Sequence, residues 1–250
     1  MNISGNTVLI TGGTSGIGRA LAEFFYHQGN KVIIAGRRQL LLDEIISAHP
    51  GMIGKQLDVR DLDKITLFVK DISEHYPELN VLINNAGISR AEDLTSDSIG
   101  LSDAHSIIET NIFSVLHLTA GFLPLLKNQK ASTMITTTSG LAFVPSAAYP
   151  TYCASKAFLH SWLQSLRFQL RKTNIEVLEL APPYVQTDLT GAAQATDPNA
   201  MPLSDFMEEV IQILKDKNYI NGEILVKRAQ TERLDERNNE YEIVFARHNR

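Results

Sequence analysis

Tyr152-Cys153-Ala154-Ser155-Lys156 places a phenol and an ammonium four residues apart. On a helix that spacing puts both groups on one face, one turn from each other. A phenol ionises at about pH 10 and is a poor base at neutral pH. A neighbouring cation favours its ionised form, so the pair is equipped to exchange a proton with an oxygen once the phenol's pKa falls. Short motifs of this kind also arise by chance, and the weight of this one comes from its surroundings. Ser139, thirteen residues earlier, closes the β-branched run 133–138, and Asn111 lies in the long helical stretch 102–127. Cys153, the single cysteine, is next to the tyrosine. A helix turns it about 100° away, and no histidine-based activating pattern accompanies it, so it is not expected to act as a nucleophile. The seven histidines show no metal-ligand spacing, so no metal site is expected, and His160 reads as a packing or interface residue.

A second constellation stands near the start. Thr11-Gly12-Gly13-Thr14-Ser15-Gly16-Ile17-Gly18 follows a first apolar run and precedes the helical pattern Ala20, Leu21, Phe24, Phe25. Glycines there permit a tight turn and close backbone approach, so amides at the helix start face a pyrophosphate that the helix dipole also favours. The second run ends in Ala35-Gly36-Arg37-Arg38, without the carboxylate that an NAD site uses to bind the ribose 2′-hydroxyl. Two guanidiniums at a helix start are disfavoured unless an anion accompanies them. A 2′-phosphate is such an anion, so the pattern points to NADP(H) rather than NAD(H), with Arg37, nearer the strand end, as the principal contact.

The elements that must position these groups alternate from the first residues to about residue 226. Strands are expected at 7–11, 31–35, 52–57, 81–84, 133–138, 175–180 and 223–226, each short and apolar on both faces. Helices are expected at 16–28, 39–48, 61–76, 102–127, 149–172 and 204–215. Strands buried on both faces need a helical layer on each side, which is the condition of a parallel sheet. The expected fold is α/β, a single-domain Rossmann-type doubly wound parallel sheet of about seven strands with helices on both faces. Asp61 is placed to cap one helix, and Gly29-Asn30 to end another in the left-handed region. Residues 1–227 form the expected domain, and 228–250 a charged, helical extension that docks its apolar cluster Tyr241, Ile243, Val244 and Phe245. The polar loop 186–203 has the length of a lid over a pocket lined by Phe143, Val144, Tyr184 and Leu189.

Together these motifs resemble the short-chain dehydrogenase/reductase family over residues 5 to about 227, most of all its bacterial DltE-type oxidoreductases. The resemblance implies a tetrad of Asn111, Ser139, Tyr152 and Lys156, with Tyr152 as acid/base. Ser139 would donate to the substrate oxygen, and Asn111 would anchor a water through which Lys156 exchanges protons. It implies a dinucleotide held by Gly12, Thr14, Ser15, Gly16, Ile17 and Gly18, with Asp58 at the adenine and Asn85, Ala86 and Gly87 passing close by. Asn84 is then the residue that ties neighbouring strands. Lys156 also holds the nicotinamide ribose beside Tyr152, and Val185 and Thr187 lie at the carboxamide. Pro183 departs from the family's glycine and removes a backbone donor there. A homodimer or homotetramer through the two long helices is a further implication.

The formal charge of −5, from 28 acidic and 23 basic residues, carries no long run of either sign, so neither nucleic acid nor a membrane surface is an expected partner. One cysteine and an N-terminus without a signal pattern point to the cytoplasm. The apolar run 115–126 is too short to span a bilayer. The expected activity is hydride transfer between NADP(H) and a small-molecule carbonyl or secondary alcohol. A dinucleotide-binding regulator without turnover stands as the alternative.

Overall fold

The computed structural model describes residues 1–249, with only the backbone of residues 236 and 237. Arg250, the last residue of the expected extension, lies outside the described residues.

The seven apolar runs become strands β1 (Thr7–Thr11), β2 (Lys31–Gly36), β3 (Ile53–Gln56), β4 (Val81–Asn84), β5 (Ser132–Thr137), β6 (Ile175–Leu180) and β7 (Glu223–Ile224). They form one parallel sheet in the order β3-β2-β1-β4-β5-β6-β7. Side chains alternate between faces along each strand. Val8, Ile10, Val32 and Ile34 therefore enter one core, while Leu9, Ile33, Leu82 and Met134 enter the other. The first core is closed by α1 (Gly16–His27), α2 (Gln39–Ala48) and α7 (Leu203–Asp216), through Leu21, Phe25, Leu42, Phe206 and Val210. The second is closed by α3 (Leu62–His75), α5 (Ser114–Lys127) and α6 (Pro150–Leu170), through Phe68, Ile72, Phe122, Leu126 and Leu163.

The expected caps form. The Lys64 amide donates to Asp61 Oδ1 at 3.0 Å, and Gly29 takes φ +77° after α1. The stretch 102–127 is not one regular helix. α4 (Ser102–Ile108) runs into a π-helical turn, Glu109–Phe113, before α5 begins. By length and composition this whole stretch is apolar enough to cross a membrane, beyond the shorter 115–126 run. Its residues Leu118, Phe122 and Leu126 instead pack against the sheet.

β7 is shorter than expected because the chain leaves the sheet edge into α8 (Lys227–Asn238), followed by α9 (Tyr241–His248). The extension is thus two helices that fold back on the domain. Ala229 and Val244 are buried, Arg233 pairs with Glu223 at 2.8 Å, and Asn249 bonds the Ala147 amide and Pro145 carbonyl. The strand order reverses direction between β1 and β4, and in such sheets that point opens a crevice at the carboxyl ends of the strands.

Candidate active site

The glycine turn fills one end of that crevice. Gly12 has φ +68°, and a Cβ there would meet Ala86 Cα at 2.9 Å, so only glycine lets the 85–87 backbone lie alongside. Gly16, at φ +51°, opens α1. Ser15, the residue before α1, makes no side-chain cap, and the first turn holds no acid, which leaves the helix's leading amides for an anion. A cavity of about 450 Å³ runs from this turn past Arg37 and Asp58 to Lys156 and Thr187. Thr14, Ser15, Ile17, Asn85, Ala86, Gly87 and Val185 also line it. Gly18 does not. It packs beneath the turn, where a Cβ would lie 2.3 Å from the Gly12 carbonyl oxygen.

Both arginines face this cavity, but Arg38 is the one engaged with the turn, donating to Thr14 Oγ1 at 3.2 Å and Ser15 Oγ at 3.0 Å. Asp58 grips Arg60 through both carboxylate oxygens, at 3.1 and 2.7 Å. Arg60's hydrogen bonding holds the Asp58 carboxyl below its ordinary pKa. The residue that ties strands together is Asn85 rather than Asn84. Asn85 donates to the Thr11 carbonyl on β1 at 3.3 Å and accepts from Thr137 on β5 at 3.2 Å. Asn84 turns to α5 and donates to Thr119 at 3.1 Å.

At the other end, Pro150 opens α6, and the first helical position tolerates its missing donor. Tyr152 and Lys156 then share the buried face, with the Lys156 ammonium 5.7 Å from the Tyr152 ring centroid. Lys156 donates to the Thr137 carbonyl at 2.8 Å. Ser139 follows β5, accepts from the Leu141 amide at 3.1 Å, and lies with Tyr152 on the wall of both cavities. The expected fall in the phenol's pKa is absent from the protein alone. Burial pushes Tyr152 up to about 12, against the opposing influence of Ser139. Burial likewise draws Lys156 down to about 8, while the charge of Glu179 opposes that fall. Desolvation outweighs local pairing at both groups.

Asn111, fully buried, sits in the π-helical turn, a feature frequent at functional sites. Its Oδ1 accepts from the Ile88 amide at 2.9 Å, and its Nδ2 donates to the Ile88 carbonyl and Ser155, both at 3.0 Å. The side chain is thus committed to the segment after Gly87, leaving no side-chain donor for the expected water. Cys153 is buried against Ser146 and its pKa is raised by burial, as suits a packing thiol.

Several residues escaped the sequence reading. Glu179 on β6 is fully buried and accepts from Thr138 Oγ1 at 2.7 Å, with His160 Nδ1 at 2.8 Å. His160 is therefore a partner of this carboxylate as well as a packing residue. Among the described residues, His160, Glu179 and Glu223 converge as potential metal ligands, but Thr138, His160 and Arg233 already satisfy those carboxylates. Phe143 packs edge-on to His160, and neither it nor Val144 lines the pocket. Gln194, from the 186–203 loop, turns inward and donates to the Val185 carbonyl at 2.7 Å and Thr187 Oγ1 at 3.2 Å. A second cavity, of about 640 Å³, meets the first at Ser139 and Tyr152. Tyr184, Leu189 and Pro183 form part of its wall, and residues of α8 and α9 form another part.

Comparison with known proteins agrees with this arrangement. Residues 6–198 match the short chain dehydrogenase family. The chain is 45% identical over 189 residues to the uncharacterized oxidoreductase DltE of Bacillus subtilis (strain 168), covering 76% of this chain and 75% of that protein. It is 34% identical over 187 residues to Sulfoacetaldehyde reductase 2 of Chromohalobacter salexigens, covering 73% and 74%. The fold superposes on a short chain dehydrogenase from Burkholderia cenocepacia J2315 in complex with NADP, with TM-score 0.83, 21% identity and 99% of each chain covered. A Burkholderia phymatum short chain dehydrogenase/reductase in complex with NAD gives TM-score 0.82 at 22% identity, covering 97% of this chain and 96% of that one. The chain belongs to the short-chain dehydrogenase/reductase family as a DltE-like oxidoreductase acting between CH-OH and C=O.

Proposed function

We propose that the protein is an NADP(H)-dependent oxidoreductase of small carbonyl compounds or secondary alcohols, with Tyr152 as its acid/base. The observation that carries this reading is that Ser139 and Tyr152 stand where the dinucleotide-shaped cavity and the second cavity meet. A substrate oxygen between those two hydroxyls faces both a proton source and a hydrogen-bond donor that stabilises developing negative charge. The glycine cradle, the free start of α1 and the paired arginines fit a dinucleotide with a 2′-phosphate. When bound, the nicotinamide dinucleotide supplies or accepts the hydride, and its oxidised form adds positive charge beside the phenol. Tyr152 hands its proton to the nascent alkoxide in reduction and takes it back in oxidation. Lys156, anchored on Thr137, favours the phenolate and reaches the ribose side of the cavity. Asn111 fixes the Ile88 backbone next to Lys156.

Arg37 and Arg38 support NADP(H) over NAD(H), since no carboxylate ends β2 and Arg38 already bridges to the phosphate turn. The relative that acts on sulfoacetaldehyde supports an aldehyde or ketone as substrate. Self-association through α5 and α6 is supported by Phe113, Phe158 and Phe168, which those helices and the π-helical turn leave exposed. The absence of a nucleic-acid-like basic surface and the lone cysteine fit a cytoplasmic enzyme. The test is NADPH fluorescence on binding, together with the loss of its absorbance over a panel of carbonyls. Turnover that Tyr152→Phe abolishes supports the reading. Binding without any turnover selects the regulator.

A further inference from the structure

The second cavity has an uneven distribution of charge. Its inner wall, from Ser89, Ser139, Tyr149, Tyr152, Pro183 and Tyr184, presents only neutral groups. Among the described residues, the charged side chains on its surface are Arg228, Glu232, Arg247 and His248, all carried by α8 and α9. Glu232, mostly buried, lies 3.7 Å from His248 Nε2 and raises that imidazole's pKa above its ordinary value. Glu232 Oε2 is buried without a hydrogen-bond partner among the described residues, and Glu232 is the carboxylate that the described wall carries. The nearby Asp197 lies outside the cavity wall and accepts the Tyr184 hydroxyl at 3.0 Å. Two guanidiniums, Arg228 and Arg247, stand against the Glu232 carboxylate. Arg228 spends one donor on the Asn199 carbonyl, and Arg247 makes no ion pair among the described residues.

The arm that carries these groups is fixed in place. Arg233 bonds Glu223 through two nitrogens at 2.8 and 3.0 Å, Val244 is buried, and Asn249 is tied to the 145–147 segment. A positive surface is thus held at the mouth of a cavity whose floor is the Ser139 and Tyr152 pair. The cavity's volume of about 640 Å³ is ample for a short chain between the two ends.

We infer that the C-terminal arm is the specificity determinant of this pocket and that Arg228 and Arg247 receive an anionic group, so that the substrate is a small oxo acid or hydroxy acid. The inference rests on the oxidoreductase reading and adds the substrate's charge to it. Its carbonyl oxygen lies at Ser139 and Tyr152, and its carboxylate, sulfonate or phosphate lies at the arm. Guanidinium forks suit all three anions, which share planar or tripodal acceptor oxygens.

The experiment compares kcat/KM for short aldehydes bearing a terminal carboxylate, sulfonate or phosphate with uncharged aldehydes of equal length, in full-length protein with NADPH. An advantage of ten-fold or more for at least one anionic series is expected, and the best series identifies the anion. Arg247→Gln should raise KM for that substrate ten-fold or more with kcat nearly constant, and Arg247→Lys should recover part of the loss. Propionate or ethanesulfonate, which lack a carbonyl, should inhibit wild type competitively against the aldehyde, and this inhibition should weaken in Arg247→Gln. That inhibition keeps the test decisive if a variant disturbs α9. Equal turnover of charged and neutral aldehydes, without competitive inhibition by the anions, overturns the inference and leaves the oxidoreductase reading standing. NADPH binding without turnover of any aldehyde, ketone or secondary alcohol, charged or neutral, overturns the oxidoreductase reading itself.

Discussion

The charge of Glu179 on β6 acts on the ammonium of Lys156 on α6, and the dipeptide Thr137-Thr138 links the two groups. Lys156 donates to the carbonyl of the first threonine at 2.8 Å, and the hydroxyl of the second donates to Glu179 at 2.7 Å. A fully buried carboxylate thus backs a buried cation just before Ser139 in the chain.

Glu179→Gln should therefore move the alkaline limb of the pH–rate profile. The carboxylate opposes the fall of Lys156 to about 8, so removing it lowers that pKa further and neutralises the lysine at lower pH. A downward shift of about one pH unit is expected for kcat, with the amide retaining an acceptor for Thr138. An unmoved alkaline limb would detach Glu179 from the proton chemistry.

Lys156→Met should abolish turnover yet stabilise the fold at neutral pH. The folded-state pKa of about 8 lies below the ordinary 10.5, so burying the ammonium weakens the protein at all pH values below 8. That cost fades as pH rises from 8 to 10.5, where the unfolded chain holds the extra proton. The variant's gain, on the order of 2 kcal/mol after loss of the Thr137 hydrogen bond, should be present at pH 7 and small at pH 10.5. Urea melts at the two pH values measure it.

Tyr152→Phe removes the acidic proton but keeps the ring's packing. Turnover should fall by about three orders of magnitude, with the NADPH dissociation constant within about two-fold of wild type. Rapid-mixing absorbance and fluorescence titration separate the two quantities, and a loss confined to cofactor affinity would place the phenol in binding alone.

Arg37→Ala and Arg38→Ala should each erode the ratio of NADPH to NADH affinity, by about ten-fold for the more strongly engaged side chain. The bonds of Arg38 to Thr14 and Ser15 make it the stronger candidate. Isothermal titration with both cofactors gives the ratios. If neither variant changes them, phosphate recognition lies outside this pair.

Arg233→Met leaves Glu223, almost wholly buried, without its cation. Breaking a buried pair by removing one partner costs about 3 kcal/mol. The melting temperature should fall, and proteolysis should cut between β7 and α8 sooner than in wild type. Equal protease resistance would mean that the arm is held without this pair.

The fold was legible in the sequence because both faces of the sheet are covered, which makes each strand a short apolar run bounded by turns. Seven runs gave seven strands, and the glycine turn, Ser139, Tyr152 and Lys156 carry their spacing openly. What stayed hidden depends on contacts far apart in the chain. Nothing local to Glu179 says that Thr138 and His160 will enclose it, although two acids, Glu176 and Glu179, inside the apolar run 175–180 were a signal. The π-helical turn at Asn111 leaves the apolar periodicity of 102–127 almost intact and so reads as plain helix. The docking of the extension was expected through its apolar cluster, but nothing local to the charged helix α8 says that its partner will be Glu223 at the sheet edge.

On the reading proposed above, the last two helices select what approaches the reacting oxygen, while strands β4 to β6 and helix α6 hold the groups that act on it. The region matched to the family ends at residue 198, ahead of both helices. If the arm selects the substrate, exchanging it while keeping the Arg233–Glu223 anchor would change what the enzyme accepts and leave the reacting groups as they are.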